Sequence, residues 1–502
     1  MLEFSSGGFR FMTDRVCVRF APSPTGSPHV GNIRTAIFDW LFARGNDGSF
    51  IIRVEDTDRA RLVEGSIDEL LESLRWLGID WDEGPDVGGP NGPYYQSERL
   101  ALYRKASDDL IEKGVAYKCY CTPERLEKVR KQRSGYDRHC RLIDDAEHKR
   151  LESSSIAHVV RFAMPFEGET KLDDLIRGVV TFDNGLIDDF VMLKSDGFPT
   201  YHLANVIDDH YMSISHVFRA EEWLSSTPRH LKIYESLGWQ PPLFAHFPQI
   251  LAPDRSKLSK RHGATSVNEY REMGYLPETL VNFLALLGWS VDDKTEIMST
   301  KQMFDSFSLE RVSKSGAIFD GQKLEWMNGY YIRNTSADIL AGKLLDYWRD
   351  FPTELLPSTL DKDRLIKIVP LIQERLKTLR DAASLISFFF KEDIEYKTDE
   401  LIQKNMDIDS TKYSLQMSLK KLRESNSFQN STIENDLRDL ADDLGIKVGQ
   451  LLGSLRVAIT GLKVAPPLFE TLEILGSDRV TELIEIAIKR LEMETLNAVK
   501  GK

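Results

Sequence analysis

The sequence predicts an α/β fold built on a parallel sheet, interrupted by an α+β insertion and followed by an all-α C-terminal half. Three observations predict it. Short apolar runs alternate with amphipathic helical segments over residues 15–115, the alternation stops over 116–200 and then resumes, and helical periodicity dominates beyond 340. Strands that alternate with helices favour parallel pairing, because each helix returns the chain to the same edge of the sheet.

The bulk composition limits the class of protein. A chain of 502 residues should hold several domains, at roughly 100–200 residues each, and its hydrophobic fraction of 41% is ordinary for a globular protein. Four cysteines are too few for a disulfide scaffold and indicate a reducing, cytoplasmic setting. The net charge of −13 is a weak argument against nucleic-acid binding, because phosphate binding needs only a local basic surface.

Neither a membrane span nor a targeting segment is expected. No apolar run approaches the ~20 residues that a membrane helix needs. Residues 1–15 lack a long apolar stretch and carry Glu3 and Asp14, which is atypical of a signal or transit peptide. Met12 is a candidate for the true start, and the alternative is that the residues before it form a short disordered leader.

The first elements position two candidate ligand-binding segments. We expect strands at 16–20 and 50–54. Apolar residues at helical spacing then predict two helices: Ile33, Ala36, Ile37, Trp40 and Leu41 in the first, and Ile67, Leu70, Leu71, Leu74 and Leu77 in the second. The loop that starts at Ala21, and Glu55, each follow a strand, and ligands of such sheets bind at the carboxyl ends of strands.

The later elements are an insertion and a return to the α/β pattern. Within 116–200 we expect short strands at 159–162 and 190–193. Afterwards we expect a strand at 217–219, a helix from about 226–228 and a strand around 247–251. Beyond Glu269 the chain is predicted to be largely helical, for example over 280–287 and 365–379. No internal repeat and no G-x-x-x-x-G-K-[ST] phosphate loop is present.

The loop after the first strand reads RFAPSPTGSPHVGN over 19–32. Its prolines stiffen it, and its glycines allow a ligand to approach the backbone closely. It ends at a helix N-terminus, which attracts phosphate, so His29 is a candidate to hydrogen-bond a nucleotide phosphate. An isolated H-x-G would indicate only a capped turn, but the whole string in this place indicates a nucleotide site.

A second candidate phosphate-binding segment reads KLSKR over 257–261. Lysine is a mobile point charge that can follow a migrating phosphate. Alone, five such residues are typical of a solvated basic loop. The upstream loop changes this interpretation and favours phosphate binding by this segment as well.

Together these two segments resemble the HIGH and KMSKS elements of class I aminoacyl-tRNA synthetases. The P-S-P-T-G-x-x-H-V-G string is most similar to the glutamyl and glutaminyl branch, and the resemblance to bacterial-type glutamyl-tRNA synthetases extends over nearly the whole chain. It implies a Rossmann-like catalytic core and ATP used with Mg²⁺. It also implies five segments: catalytic halves at 15–115 and 201–256, an inserted acceptor-binding domain at 116–200, the KMSKS loop with a stem-contact domain at 257–339, and an anticodon-binding domain at 340–502.

The resemblance also assigns a glutamate pocket through three further motifs: RVEDTD at 53–58, YHLANVIDDH at 201–210 and FRAEEW at 218–223. It implies that Arg19 and Arg219 grip carboxylates, that Glu55 holds the ammonium, and that Tyr201 and Asn205 orient the substrate. Ala21 and Ser23 complete that set. The implied ATP-binding residues are His29, Gly31, Glu222, Trp223, Leu251, Lys257, Ser259 and Lys260, of which His29 and Lys260 are catalytic. Taken singly, each charged residue could equally form a surface ion pair.

Three cysteines of the predicted insertion indicate a zinc site: Cys119, Cys121 and Cys140. Zinc-containing relatives often place a histidine two residues after the last cysteine, where this chain has Leu142. A variant family pattern places a tyrosine four residues before that cysteine, where this chain has Tyr136. His139 is another candidate fourth ligand, and reduced cysteines without metal are the alternative.

The C-terminal region contains LRVAITG at 455–461 and PPLFE at 466–470, which resemble the helical anticodon-binding domain of bacterial glutamyl-tRNA synthetases. The tract 367–380 carries Arg375, Lys377 and Arg380, either as phosphate contacts or as a solvated helix face.

The function implied by the resemblance is ATP-dependent ligation of L-glutamate to tRNA-Glu by a monomer. A glutaminyl-tRNA synthetase is the nearest alternative, but that family ends in β-barrels. A short paralogue that glutamylates a modified tRNA base lacks the anticodon domain. A non-catalytic RNA-binding relative is expected to lose His29 or Lys260, and a small-molecule nucleotidyltransferase does not need the long helical region.

Overall fold

The computed structural model describes residues 15–26, 28–132, 135–154 and 156–500, without the side chains of Lys260 and 497–500. The alternative start at Met12 therefore lies outside the described residues. The chain forms two compact units. One contains the described residues through Tyr270 together with Pro277–Gly321, and the other contains Arg271–Leu276 and the residues from Gln322 onward.

The first unit begins with the predicted alternation of strands and helices. Its first elements are β1 (Cys17–Phe20), α1 (Val30–Gly45), β2 (Ser49–Ile52), α2 (Ser66–Trp76) and α3 (Leu100–Glu112). Strands β1 and β2 pair in parallel, with Cys17 opposite Ser49 and Phe20 opposite Ile52. In each strand the last three of the four residues are buried, as expected of a parallel sheet covered on both faces.

The insertion contains a three-stranded sheet and a hairpin. Its elements are β3 (Ala116–Cys119), α4 (Pro123–Gln132), α5 (His139–Leu142), α6 (Asp145–Ser153), β4 (Val159–Phe162), β5 (Glu169–Asp174), β6 (Gly178–Asp183) and β7 (Val191–Leu193). Strands β3, β4 and β7 form an antiparallel sheet. The β5–β6 hairpin instead extends the sheet of the core, because Asp174 pairs in parallel with Phe244.

The α/β pattern then resumes. The elements are α7 (Tyr201–Tyr211), β8 (His216–Ala220), α8 (Thr227–Leu237), β9 (Leu243–Phe247), β10 (Ile250–Leu251), α9 (Val267–Glu272), α10 (Pro277–Ala285), α11 (Thr300–Ser306) and β11 (Ala317–Ile318). Strands β8 and β9 pair in parallel along their whole length. The parallel sheet predicted from the sequence is thereby confirmed.

One predicted strand has the wrong bounds. The strand expected around 247–251 is divided into β9 and the two-residue β10. Pro248 lies between them and has no backbone N–H to donate to a ladder, so the apolar run 243–251 cannot continue as one strand.

The second unit is all-α within the described residues, as predicted. Its helices are α12 (Gly321–Arg333), α13 (Ala337–Asp350), α14 (Lys362–Ile372), α15 (Ala382–Ile386), α16 (Ile408–Glu424), α17 (Asn430–Asp443), α18 (Val448–Thr460), α19 (Leu468–Leu475) and α20 (Ser477–Lys500). The helix expected over 365–379 ends early: α14 runs through Pro370 to Ile372, a 3₁₀ turn follows at Gln373–Arg375, and Leu376 is extended. No helix among the described residues combines the length and apolarity of a membrane span.

Candidate active site

A cavity of about 560 Å³ lies where β1, β2 and β8 end. All seven residues predicted to bind glutamate line it, together with two of those predicted to bind ATP. They are Arg19, Ala21, Ser23, Glu55, Tyr201, Asn205, Arg219, Glu222 and Trp223. The parallel strands explain this convergence, because their carboxyl ends place the following loops at one edge of the sheet.

Arg19 is held by a carboxylate that sequence reasoning had not assigned. Its Nε lies 3.0 Å from Oδ1 of Asp209 and its Nη2 lies 3.4 Å from Oδ2. Arg53 contacts the same carboxylate, with Nη1 2.6 Å from Oδ1. Burial favours the neutral acid, but the two guanidiniums outweigh it and hold the pKa of Asp209 below its ordinary value. The positive charge of Arg19 is therefore largely compensated inside the protein.

Arg219 has a different environment, made only of neutral acceptors. Its Nε donates to Nε2 of His246 at 3.0 Å, and its Nη2 donates to the hydroxyl of Thr227 at 2.8 Å. Its Nη1 faces the hydroxyl of Tyr201 at 3.1 Å and Nδ1 of His230 at 3.2 Å. The residue is only 6% exposed. Within the described part of the chain, no carboxylate forms an ion pair with this guanidinium.

Glu55 and Asn205 complete the polar floor of the cavity. Glu55 accepts from Nη2 of Arg53 at 3.3 Å. Burial raises the pKa of Glu55 above its ordinary value, although Arg53 and Arg19 act in the opposite direction. With its amide nitrogen toward Asp209 and its oxygen toward the two arginines, Asn205 makes hydrogen bonds of 3.2, 3.3 and 3.1 Å. Glu55 therefore presents a carboxylate that a bound cation would stabilise.

The aromatic wall is formed by Tyr201 and Trp223, whose ring centroids are 4.5 Å apart. Burial raises the pKa of Tyr201, so its hydroxyl remains protonated at neutral pH. Tyr201 and Asn205 lie four residues apart at the start of α7, which places both side chains on one face of the helix.

The first nucleotide motif forms a helix cap. His29 precedes α1, and its Nδ1 accepts from the backbone N–H of Gly31 at 3.1 Å. The backbone N–H of Val30 donates to the carbonyl of Thr265 at 2.8 Å, and His29 is bridged to Ser266. The end of the first loop thus lies against residues 265–266, which follow the second predicted phosphate-binding segment by four to five positions.

The second motif forms a short loop from β10 onward. Lys257 is bridged to Leu251 through the backbone and pairs with Glu222, Nζ to Oε2, at 2.6 Å. Ser259 contacts Nδ1 of His262 at 3.2 Å through its hydroxyl. The side chain of Lys260 lies outside the described residues. The other predicted ATP-binding residues do not line the 560 Å³ cavity: His29, Gly31, Leu251, Lys257 and Ser259.

Several residues in or next to the cavity were missed by sequence reasoning. Lys194 lines the cavity, and its Nζ donates to the carbonyl of Thr57 at 3.0 Å. A single lysine in an insertion gives no sequence signal. Asp208 and Asp209 could have been found, because two adjacent acids inside an apolar helix are costly unless they are paired.

The three cysteines of the insertion lie together as predicted. The three sulfur atoms lie within 4.8 Å of one another. Sγ of Cys121 is 3.5 Å from Sγ of Cys140, and Oη of Tyr136 is 3.3 Å from Sγ of Cys119 and 3.5 Å from Sγ of Cys121. His139 does not belong to this group of ligand atoms. Hydrogen bonds from Cys121 and Cys140 lower the pKa of Cys119.

This donor set fits zinc. Tetrahedral zinc with Zn–S bonds of about 2.3 Å separates its sulfur ligands by roughly 3.7 Å. The Cys121–Cys140 distance is close to that value, and the Tyr136 hydroxyl lies within 3.5 Å of two of the three sulfur atoms.

Comparison with known proteins identifies the family. The model of "tRNA synthetases class I (E and Q), catalytic domain" matches residues 15–326, and that of "Anticodon binding domain" matches 340–488. The glutamate–tRNA ligase of Dehalococcoides mccartyi is 54% identical over 486 residues, which cover 96% of this chain and 98% of that protein. This chain belongs to the glutamate–tRNA ligase family.

A further sequence and a solved structure of the glutamate–tRNA ligase family are also similar to this chain over nearly its whole length. The ligase of Moorella thermoacetica is 46% identical over 485 residues, covering 95% of this chain and 98% of its own. The crystal structure of a glutamate tRNA ligase from Elizabethkingia meningosepticum, in complex with its amino acid, aligns with a TM-score of 0.85 at 35% identity. It covers 95% of this chain and 100% of its own. The predicted family, fold class and enzyme class, an aminoacyl-tRNA synthetase, are confirmed.

Proposed function

We propose that this chain activates L-glutamate with ATP to glutamyl-adenylate and transfers the glutamyl group to the 3′ end of tRNA-Glu. The observation that carries the proposal is the buried guanidinium of Arg219, which has only neutral protein partners among the described residues and lines the same cavity as Glu55. A buried cation beside neutral groups needs an anion, and a substrate carboxylate supplies one.

The cavity matches the charges of glutamate. Glutamate carries two carboxylates and one ammonium. Glu55 offers a carboxylate to the ammonium, Arg219 offers an uncompensated guanidinium to one carboxylate, and Arg19 retains N–H groups near the other. Glutamine replaces a carboxylate with an amide, which pairs badly with a guanidinium, so we expect it to be rejected.

The chemistry follows from charge and position. A carboxylate oxygen of glutamate attacks the α-phosphorus of ATP, and the bond to pyrophosphate breaks. The terminal ribose hydroxyl of tRNA then attacks the carbonyl carbon, and AMP leaves. No side chain acts as a covalent nucleophile, so catalysis rests on positioning and electrostatics. We assign charge stabilisation on the leaving pyrophosphate to His29 and Lys260, and ATP enters with Mg²⁺ as part of the substrate.

The remaining segments are assigned to tRNA. We propose that 116–200 binds the acceptor end, 257–339 contacts the stem and 340–502 binds the anticodon. In the tract 367–380, Arg375 donates to the carbonyl of Ala465 at 2.7 Å and Lys377 pairs with Glu325 at 2.9 Å. Phosphate binding there would have to displace these contacts. We further propose a cytoplasmic monomer.

The proposed reaction is tested by labelled-glutamate transfer. With ATP and Mg²⁺ we expect the purified chain to charge tRNA-Glu with glutamate and not with glutamine. A parallel assay with tRNA-Gln determines whether that tRNA is also a substrate. Failure to charge tRNA-Glu, or a preference for glutamine, would contradict the proposal.

We also propose that Cys119, Cys121, Tyr136 and Cys140 hold one structural zinc ion. The site lies in the predicted acceptor-binding segment, where zinc would tie the end of β3 to α5. The backbone N–H of Tyr120 faces Sγ of Cys140 at 3.4 Å, and such N–H donors stabilise metal-bound thiolates.

The zinc prediction is checked by elemental analysis of protein purified without chelator. We expect about one zinc per chain. Cys140→Ser should remove most of it, whereas Cys17→Ser is the matched control. Burial raises the pKa of the Cys17 thiol to about 12, so this cysteine has no tendency to form a thiolate. A zinc content near zero in the wild-type protein would show that the cysteines form only a loop.

A further inference from the structure

Two hydrogen-bonded chains of side chains support Arg219, and each chain contacts the guanidinium through an imidazole ring. One runs from Asp174 on β5 through His246 on β9 to Nε of the guanidinium. The other runs from His202 through His230 on α8 to Nη1. We propose that His246 and His230, backed by Asp174 and His202, are positioning residues that fix Arg219, and that the neutrality of this shell sets selectivity for a carboxylate over an amide. This inference rests on the proposed function.

The tautomer of His246 is fixed by its two partners. Its Nδ1 lies 2.5 Å from Oδ2 of Asp174, and both side chains are fully buried. Although burial alone would raise it, the hydrogen bond from His246 helps to lower the pKa of Asp174, so the carboxylate accepts and Nδ1 carries the proton. Nε2 then keeps its lone pair for the N–H of Arg219, because a guanidinium only donates.

The tautomers of His230 and His202, in the second chain, are also fixed by their partners. Nδ1 of His230 accepts from Arg219, so its proton lies on Nε2, 3.1 Å from Nδ1 of His202. Burial, followed by the charge of Arg219, lowers the pKa of His230 well below its ordinary value. Burial lowers the pKa of His202 to about 4. Both rings are therefore neutral, and each accepts with a defined nitrogen.

Neutral acceptors orient a guanidinium without cancelling its charge. Arg19 shows the alternative, because Asp209 grips it through two oxygens. If Arg219 were held by a protein carboxylate in the same way, a substrate carboxylate would gain little from it, and an amide would lose little by comparison. Asp174 contacts Arg219 only through the ring of His246. It therefore fixes the orientation of that ring, while the positive charge of Arg219 remains available to a substrate carboxylate.

Two substitutions of Thr227, by asparagine and by aspartate, test this inference because the two new side chains differ mainly in charge. Its hydroxyl lies 2.8 Å from Nη2 of Arg219 and 3.3 Å from Nε2 of His246. Thr227→Asn places a neutral acceptor there, and Thr227→Asp places a near-isosteric carboxylate. We expect KM for glutamate to be roughly 10- to 100-fold higher in Thr227→Asp than in Thr227→Asn, the loss of about one charge-assisted contact. KM for ATP should be equal in the two variants, and the glutamate-to-glutamine selectivity should fall only with aspartate.

Substitutions of His246 provide a second, independent test. Glutamine carries an acceptor and a donor about as far apart as the two imidazole nitrogens, so His246→Gln can accept from Arg219 and donate to Asp174. His246→Leu can do neither. We expect His246→Leu to raise KM for glutamate about tenfold or more, with KM for ATP unchanged, and His246→Gln to recover most of that loss. Melting temperatures and ATP binding identify variants that do not fold.

The outcomes separate this inference from the proposed function. If Arg219→Ala raises KM for glutamate but Thr227→Asp and Thr227→Asn behave alike and His246→Leu has no effect, the shell is not what sets selectivity. If Arg219→Ala itself leaves KM for glutamate unchanged, the proposed glutamate pocket is wrong.

Discussion

Replacing Arg219 with alanine is expected to lower kcat/KM for glutamate by about 100- to 1,000-fold. Truncating one partner of a buried, hydrogen-bonded charge pair costs about 2–5 kcal/mol, and each 1.4 kcal/mol is a tenfold change. The effect should be this large because the described groups that contact Arg219 are neutral, so none of them can replace its positive charge. Pyrophosphate exchange measured with varied glutamate and varied ATP checks it.

The matched control is Arg229→Ala. Arg229 lies two residues after Thr227, in the first turn of α8. Its Nη1 donates to the backbone carbonyl of Ser225 at 3.0 Å, and its guanidinium lies 6.0 Å from the ring centroid of Phe190. Because Arg229 is not among the residues that line the cavity, we expect this variant to retain wild-type kinetics for glutamate within about threefold. If Arg219→Ala and Arg229→Ala gave the same kinetics, the special role of Arg219 would be disproved.

The sequence predicted the fold because its signals are local. Apolar runs and helical spacing are read within ten to twenty residues, and they located β1, α1, β2 and α2 to within a few positions. The wrong bound at 247–251 follows from a proline inside an apolar pattern, whereas the helix expected over 365–379 ends before the extended Leu376. A pattern of hydrophobicity alone does not show that Pro248 lacks a backbone donor or that Leu376 leaves the helical conformation.

The sequence could predict which residues line the cavity, but not their unequal environments. The family motifs implied that Arg19 and Arg219 both bind carboxylates and did not distinguish between them. The structure separates them, because Arg19 pairs with Asp209, 190 residues away, whereas Arg219 does not pair with a carboxylate among the described residues. Such a difference depends on contacts between distant segments. Asp174 and His246 are 72 residues apart, in an insertion strand and a core strand, and neither belongs to a recognisable motif.

The predicted phosphate-binding loop also contains a residue, His29, whose role the sequence could not decide. The sequence placed His29 in a turn before a helix and offered two interpretations, a capping residue and a catalytic one. The structure shows the first directly, since Nδ1 accepts from the N–H of Gly31. It also supports the second, because the backbone of His29 lies against Ser266, in the segment that follows Lys260. The two roles use the same ring, so a simple deletion of the side chain cannot separate them.

A pair of substitutions at His29 separates the two roles. Alanine removes both the cap and the imidazole, whereas asparagine is among the best N-cap residues and keeps only the cap. We expect His29→Ala to destabilise the protein by about 1 kcal/mol and His29→Asn to leave stability nearly unchanged. Both should lower kcat of glutamate-dependent pyrophosphate exchange by about 100- to 1,000-fold, because each loses a preorganised donor to the migrating phosphate charge.

The distinguishing measurement is kcat in the stable variant. KM for ATP should change far less than kcat in His29→Asn, since the proposed contact strengthens as negative charge moves onto pyrophosphate and contributes little to the bound ground state. Thermal unfolding of both variants, measured beside the exchange assay, shows how much of the alanine effect comes from α1. An asparagine variant with wild-type kcat would show that His29 only caps the helix, and the stabilisation of the leaving pyrophosphate would then have to come from the KLSKR loop alone.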